Sequence, residues 1–242
     1  MTAPRAVLLD VDFTVLRPGA PFSAEGYCAT GARFGLRLDP TRWHEAERRA
    51  ATAVAARREE RGDRHDDGVH LSIAQAIVAA LADGDQPAER EPADLCAAAI
   101  VEAWGRPENF TLYDDVRPCL ARLRAAGLAV GLVSNTTRDL DELIAAFDLG
   151  DLVEGTVTSA QIGVFKPAPA IFAAALARVG AAAAETVMVG DSWHDDVEGA
   201  LAAGLGGAVL LDRAGRSPGR SADGRAAVIA SLAELPGAIG LP

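Results

Sequence analysis

The sequence predicts an α/β protein, in which a parallel β-sheet with helices on both faces is joined to a smaller all-α domain. Three observations favour this fold. A short apolar run at residues 7–9 suits a strand buried on both faces. Residues 22–109 are rich in Ala, Arg and Glu, with apolar positions at helical spacing. From residue 112 onwards, apolar runs alternate with amphipathic helices, which is typical of a parallel sheet.

The first strand leads into a loop and then into the helical stretch. Two prolines and a glycine within residues 15–21 predict the loop. Glycines and prolines then divide the stretch into helices predicted at 24–34, 41–61, 68–81 and 93–104. No strand pattern of any strength interrupts them, so this part of the chain is expected to be all-helical.

The second half of the chain supplies the remaining elements of the sheet domain. Strands are predicted at 128–133, 153–158, 186–189 and 207–211. Helices are predicted at 115–126, 138–147, 168–179 and 197–203. Residues 217–224 are predicted to form a polar surface loop, and residues 226–235 a last short strand or helix.

The order of these elements predicts a sheet domain with an insertion. The core domain takes residues 1–16 and 112–242, and the helical cap takes residues 17–111. Ligands of open parallel sheets bind at the carboxyl ends of the strands. Because the cap leaves the core from one such end, we expect it to overhang the binding site as a lid.

Composition narrows the classes of partner. Half of the 242 residues are hydrophobic, which allows a sizeable core, and the formal net charge is −11. Nucleic acids and anionic membranes need a basic surface, so both are poor candidates. The three cysteines are odd in number and lack metal-ligand spacing, which is typical of a reducing compartment. With no room for a signal peptide and no apolar run of membrane-spanning length, a cytoplasmic location is expected.

Polar residues recur where the predicted strands end. Each alone has an ordinary explanation, such as a turn, a helix cap or a solvated surface charge. Four groups of polar residues, each at the end of a different predicted strand, are better explained by one shared site than by four independent turns or caps. These residues are Asp10, Asp12 and Thr14 after the first strand, then Ser134, Asn135, Lys166, Asp191, Asp195 and Asp196.

The pair Asp10 and Asp12 carries the strongest chemical indication. Side chains two positions apart on a strand point the same way, so these two carboxylates are expected to lie side by side. Like charges this close repel each other. Proteins tolerate such a pair where a cation neutralises it or where one acid holds a proton.

With these polar residues in this order, the sequence resembles the haloacid dehalogenase superfamily of aspartate-nucleophile hydrolases. The resemblance covers the whole chain, and the helical insertion lies where that superfamily places its cap. It implies a Rossmann-like core. The four matching motifs are Asp10-Val11-Asp12-Phe13-Thr14, Ser134, Lys166, and Gly190-Asp191-Ser192 with a downstream Asp.

The resemblance also implies roles for these residues. Asp10 is expected to attack phosphorus and Asp12 to act as general acid and base. Mg²⁺ is expected on the carboxylates of Asp10 and Asp191 and on the backbone carbonyl of Asp12. Both Asp195 and Asp196 are available as the last acid, and the residues after Asp196 match the superfamily better, so Asp196 is expected to hold Lys166 or a metal-bound water. Substrate phosphate is expected to contact Thr14, Ser134, Asn135 and Lys166.

Together these features predict a Mg²⁺-dependent phosphatase that acts on a small phosphorylated metabolite through an aspartyl-phosphate. A phosphomutase is an alternative, because it differs only in how water is excluded. A 2-haloacid dehalogenase lacks the second acid and needs no metal, so Asp12 and Asp191 argue against it. A phosphonate hydrolase would want a lysine in the cap, and residues 22–109 contain none. The rival from another class is a phosphate-ligand binding protein without turnover.

One residue departs from the superfamily pattern. Phe13 stands where glycine is usual, and glycine there would permit an unusual backbone angle. Phe13 is therefore expected to alter the local turn and to form a wall of the pocket, while the reactive groups stay intact.

Overall fold

The computed structural model describes residues 4–82, 89–215 and 224–241, and the chain divides into two compact units. One unit takes the chain up to Arg17 and from Leu112 onwards, and the other is Pro18–Thr111. The first of the two boundaries between the units falls one residue after the position expected from the sequence, and the second falls at the expected position. Of the predicted polar loop at 217–224, all but Gly224 lies outside the described residues.

The first unit is built on a six-stranded sheet in which all neighbouring strands are parallel. The strands of the chain are β1 Ala6–Leu9, β2 Leu16–Pro18, β3 Phe110–Leu112, β4 Ala129–Ser134, β5 Gly155–Thr158, β6 Thr186–Gly190, β7 Gly207–Leu211 and β8 Ala226–Ile229. The sheet order is β5-β4-β1-β6-β7-β8. Strands β4 and β5 lie on one side of β1, and β6, β7 and β8 lie on the other. The strand order therefore reverses at β1. Such a switch point opens a crevice at the carboxyl ends of the central strands.

The central strand β1 is buried along its whole length. Ala6 and Leu8 belong to a core cluster with Phe172 and Met188. Val7 and Leu9 are equally buried and point to the opposite face, since side chains alternate along a strand. Both faces of the sheet are therefore covered. The helices of this unit are α5 Val116–Ala125, α6 Leu140–Ala146, α7 Ser159–Ile162, α8 Pro169–Val179, α9 Gly199–Ala202 and α10 Leu235–Ala238.

The second unit is a helical bundle with a core of its own. Its helices are α1 Ala24–Arg33, α2 Trp43–Arg61, α3 Val69–Ala82 and α4 Arg90–Trp104. Helix α3 packs against both α2 and α4, and α1 packs against α4. The buried side chains they share include Tyr27, Ala74, Ile77, Leu81, Cys96 and Ile100. The predicted helices of this region all occur, with ends shifted by no more than three residues.

Three features differ from the sequence prediction. Strand β2 lies within the predicted loop and pairs with β3 in a two-stranded sheet, where three-residue strands are too short to leave an alternating pattern. Helix α7 was not predicted. The first two residues of the predicted helix at 197–203 belong instead to a π-helix, Trp193–Glu198.

The end of the chain contains both elements that the sequence left open. Strand β8 is followed by a 3₁₀ turn, Leu232–Glu234, and then by α10. Among the described residues, none of the helices combines the length and the apolar character that crossing a bilayer requires.

Candidate active site

Asp10 is the first residue beyond β1 and lies at the carboxyl edge of the sheet. Its backbone N–H donates to the carbonyl of Val189 in β6 at 2.8 Å, which continues the strand pairing by one residue. The residue is buried, and its carboxylate accepts a hydrogen bond from Lys166. The apolar strand β1 is thus followed by a single carboxylate, that of Asp10, in the crevice at the switch point of the sheet.

Lys166 is the sole lysine of the chain and is almost completely buried. Its ammonium donates to Asp10 Oδ1 and Asp196 Oδ1, both at 2.6 Å, and to the carbonyl of Val133 at 3.2 Å. Burial acts to lower the pKa of Lys166. The negative charges of Asp10 and Asp196 outweigh burial, so the pKa of Lys166 is raised above its usual value. The ammonium therefore stays charged and holds the two carboxylates together.

Asn135 holds the backbone of Lys166 in place. Its amide oxygen accepts from the Lys166 N–H at 2.6 Å, and its amide nitrogen donates to the Lys166 carbonyl at 3.1 Å. This paired contact joins the loop after β4 to the segment that carries the lysine. The sequence predicted a substrate contact for Asn135; the structure adds this structural role, and the substrate contact stays a prediction.

Asp191 and Asp196 complete an acidic cluster with Asp10. One oxygen of each carboxylate lies within 4.8 Å of the others. Asp196 lies in the π-helix, and its Oδ2 accepts from the backbone N–H of Ser192 at 3.0 Å. Gly190 leaves space for it, since a Cβ at that position would lie 2.1 Å from Asp196 Oδ2.

The cluster carries more negative than positive charge. Desolvation raises the pKa of Asp10 well above its usual value, and the charges of Asp196 and Asp191 add to this against the opposing effect of Lys166. Asp191 is exposed as a residue, yet desolvation of its carboxyl group and the charge of Asp196 raise its pKa to about 7. The three carboxylates offer oxygen ligands and carry more negative charge than Lys166 neutralises. Hard divalent cations prefer such ligands, so the donor set fits Mg²⁺.

The side chain of Asp12 contacts an arginine instead of joining the acidic cluster. Both of its oxygens accept from Arg138 Nη2, at 2.6 and 2.5 Å. Arg138 is buried and lies in the loop after β4. Sequence reasoning missed this residue, although a basic side chain four positions after Ser134 was a signal that could have been followed.

Phe13 adopts the left-handed backbone conformation that its position demands. Its φ is +63°, in a turn closed by hydrogen bonds from Phe13 N to Leu16 O and from Val15 N to Val11 O, both 2.8 Å. The unusual angle that glycine would permit is thus adopted by Phe13 itself, and it is strained for a residue with a Cβ. The phenyl ring is 49% exposed.

Two predicted phosphate contacts, Thr14 and Ser134, are buried. Ser134 is the last residue of β4. Thr14 has no exposed surface, and among the described residues its hydroxyl has no hydrogen-bond partner. The hydroxyl of Thr14 would have to be uncovered to reach a substrate, so its role in binding remains a prediction.

Arg213 anchors the turn from the other side of the loop. It donates to the Thr14 carbonyl at 2.9 Å and forms a bidentate ion pair with Asp115. Its guanidinium carbon lies 3.7 Å from the centre of the Tyr113 ring. Sequence reasoning did not find this contact, because Arg213 is 199 positions away from Thr14.

The structure therefore brings together four of the predicted site residues and separates others. The group with mutual contacts is Asp10, Lys166, Asp191 and Asp196. The side chain of Asp12 is held by Arg138. Asp195 is not part of the acidic cluster, and its backbone N–H donates to Ser192 Oγ at 3.1 Å.

Comparison with curated proteins gives relatives that are named as phosphatases or as haloacid dehalogenase-like hydrolases. A phosphoserine phosphatase of Thermus thermophilus is 36% identical over 119 residues, which is 48% of this chain and 47% of that protein. The match thus spans about half the length of that relative. The haloacid dehalogenase-like hydrolase domain-containing protein 3 of Danio rerio is 30% identical over 214 residues, covering 88% of this chain and 87% of the relative.

Solved structures with the same fold include a HAD phosphatase from Thermococcus onnurineus. It is 27% identical, with a TM-score of 0.63 and coverage of 98% of each chain. Residues 4–204 of the sequence match the family described as haloacid dehalogenase-like hydrolase. That match includes the acidic cluster, Lys166 and the whole helical unit. The chain is therefore a member of the haloacid dehalogenase-like hydrolase family.

Proposed function

We propose that the protein is a Mg²⁺-dependent phosphatase that hydrolyses a small phosphorylated metabolite through an aspartyl-phosphate on Asp10. The observation that carries this proposal is the position of the Asp10 carboxylate. It is hydrogen-bonded to Lys166 and lies within 4.8 Å of oxygens of Asp191 and Asp196. Relatives of this chain are named as phosphatases of small substrates, including phosphoserine and glyceraldehyde 3-phosphate.

The metal site proposed uses the carboxylates of Asp10 and Asp191 and the backbone carbonyl of Asp12. Bound Mg²⁺ would supply the positive charge that lets a dianionic phosphate monoester approach three acids. Asp196 has one oxygen on Lys166 and the other on the Ser192 N–H, so its proposed task is to hold the lysine or a metal-bound water. The raised pKa values of Asp10 and Asp191 support a requirement for such a cation.

The first chemical step transfers the phosphoryl group to the protein. One oxygen of Asp10 is held by Lys166 and would also bind Mg²⁺, and we assign the attack on phosphorus to the other. The bond from Asp10 to phosphorus forms while the bond from phosphorus to the ester oxygen breaks, and Asp12 gives its proton to the leaving oxygen. Lys166, Ser134 at the end of β4 and Asn135 just after it are proposed to stabilise the oxygens of the transferring group.

The second step releases phosphate. A water molecule gives a proton to Asp12 and attacks phosphorus, so that the bond from Asp10 to phosphorus breaks and inorganic phosphate leaves. Asp10 and Asp12 then return to the forms in which they began. A phosphomutase would omit this step, so release of inorganic phosphate distinguishes the two activities.

The proposed partner is a small phosphorylated molecule, and neither nucleic acid nor a membrane is part of the proposal. The net charge of −11 supports this choice. The three cysteines are free, which supports a reducing compartment such as the cytoplasm.

The test is hydrolysis of p-nitrophenyl phosphate by the purified protein, with Mg²⁺ and with EDTA, followed by a screen of phosphorylated metabolites. We expect release of inorganic phosphate only with Mg²⁺, and loss of turnover in Asp10→Asn. Full activity of Asp10→Asn would overturn the nucleophile assignment. Tight binding of phosphorylated ligands without any product over hours would instead favour a binding protein.

A further inference from the structure

We propose that Arg138 is a positioning residue that sets the orientation of the Asp12 carboxylate for proton transfer. This inference rests on the proposed function and deepens it. Nη2 of Arg138 contacts both oxygens of Asp12, at 2.6 and 2.5 Å, across 126 positions of the chain. A carboxylate held through both oxygens is fixed in rotation as well as in place.

The guanidinium of Arg138 is itself held rigidly. Arg138 is only 8% exposed, and its Nε donates to Thr136 Oγ1 at 3.2 Å. The same hydroxyl oxygen accepts from the Arg138 backbone N–H at 3.1 Å. Thr136 is completely buried, and its carbonyl accepts from the hydroxyl of Ser159. The arginine is thus preorganised by the loop after β4 before any substrate binds.

Stability alone is a poor reason for this ion pair. Taking an arginine and a carboxylate out of water costs nearly as much as their attraction returns, so apolar residues stabilise such positions equally well. Asp12 is meanwhile the residue proposed to give and take a proton. Both of its oxygens accept from Arg138, so a proton on Asp12 displaces one of these contacts, and the other contact keeps the carboxyl group oriented.

Arginine is suited to this task because it does not exchange its proton at neutral pH. A lysine beside Asp12 could itself take part in the proton transfer, whereas a guanidinium remains charged throughout. Its plane is held through Nε by Thr136, so Nη2 meets the carboxylate from a fixed direction, which a freely rotating ammonium does not. General acid–base catalysis depends on this direction and supplies about 10²–10⁴ in rate.

The test compares Arg138→Met with Arg138→Lys, using initial rates with saturating Mg²⁺. We expect kcat to fall about 100-fold in Arg138→Met, with KM changed less than about threefold, because a misdirected proton donor slows chemistry more than binding. Arg138→Lys keeps the charge without the planar guanidinium, and its kcat is expected to lie between those of the wild type and Arg138→Met. Arg117→Met is the matched control, since Arg117 is an exposed arginine of the same unit that binds the Phe147 carbonyl at 2.7 Å.

Comparing two substrates with different leaving groups distinguishes a misoriented Asp12 from general damage to the fold. The nitrophenolate of p-nitrophenyl phosphate leaves without a proton, whereas an alkyl alkoxide needs one. We expect kcat/KM of Arg138→Met to fall at least tenfold more for an alkyl phosphate than for p-nitrophenyl phosphate. An equal fall for both substrates would overturn the proposal, because a distorted site would slow both alike.

A double-mutant cycle with Asp12→Asn tests whether Arg138 acts through Asp12. Once the carboxylate is gone, adding Arg138→Met is expected to change kcat less than about twofold. Independent, multiplicative losses would overturn the proposal and assign Arg138 to the substrate phosphate. If the wild type hydrolyses phosphate esters and Arg138→Met has the same kcat, the inference about Arg138 is overturned while the proposed function stands. If the wild type hydrolyses no phosphate ester, the proposed function falls and the inference falls with it.

Discussion

Lys166 Nζ lies 2.6 Å from Asp10 Oδ1, although 156 positions separate the two residues in the chain. The same ammonium is equally close to Asp196, so one positive charge serves two buried carboxylates. Because Lys166 is the only lysine of the protein, every property of a lysine side chain measured on this protein belongs to this site.

Removing the ammonium is expected to damage stability and turnover together. Lys166→Met leaves Asp10 and Asp196 buried without a counter-charge, which costs about 3–5 kcal/mol in the free energy of unfolding. Urea denaturation in EDTA measures this loss, and p-nitrophenyl phosphate measures turnover, which we expect to fall at least 1,000-fold. Lys166→Arg is the control, because it keeps the charge but not the geometry. Near wild-type stability of Lys166→Met would contradict the ion-pair assignment.

The acidic cluster is expected to make stability depend on pH when no metal is bound. The pKa of Asp191 is about 7 in the folded protein, against an ordinary value of 3.8. Between these values the folded state holds more protons than the unfolded state, so stability falls as pH rises through this window. The Tm in EDTA should therefore decrease from pH 4.5 to pH 7.5 by more than it does in Asp191→Asn.

Added Mg²⁺ should reverse this trend, since it binds the deprotonated carboxylates. The rise in Tm caused by Mg²⁺ is expected to be larger at pH 7.5 than at pH 5. Asp195→Asn is the matched control, because Asp195 lies next to the cluster without belonging to it. A Mg²⁺-induced rise in Tm that is equal at both pH values would contradict the proposed ligands.

The left-handed backbone at Phe13 is expected to store a measurable strain. Phe13→Gly should raise the free energy of unfolding by about 1 kcal/mol relative to Phe13→Ala, since both remove the ring but only glycine relieves the angle. Urea denaturation of the two variants isolates this difference. Equal stability of the two variants would show that the turn accommodates a Cβ without strain.

The elements that the sequence predicted well are those whose apolar pattern is long. Strand β4 and helix α8 were placed within one residue, because six and eleven residues are enough to display a period. Strands β2 and β3 are three residues each and show none. The π-helix contains Asp196, whose carboxylate accepts from Lys166 across 30 positions of the chain, and no local pattern encodes such a contact.

The candidate site was predictable for a different reason. In a parallel sheet, the carboxyl ends of distant strands meet at one edge, so polar residues after each strand identify the edge without any knowledge of contacts. This reasoning found Asp10, Lys166 and Asp191. It did not find Arg138 or Arg213, because an arginine in a surface-like segment resembles a solvated charge until its partner is known.

Gly190 offers the sharpest test of the geometry around Asp196. In Gly190→Ala the new Cβ would lie 2.1 Å from Asp196 Oδ2, a distance that no pair of unbonded atoms sustains. Asp196 must therefore move, and the 2.6 Å hydrogen bond that it accepts from Lys166 is expected to lengthen or break.

We expect Gly190→Ala to lower kcat about 100-fold and to weaken the Mg²⁺-induced rise in Tm, because the displaced carboxylate belongs to the acidic cluster. Gly150→Ala provides the control, since a Cβ there meets nothing within 4 Å. That variant should keep wild-type rates and metal response. Normal turnover in Gly190→Ala would mean that neither Asp196 nor its hold on Lys166 matters for the reaction, and the proposed division of labour among the three acids would have to be redrawn.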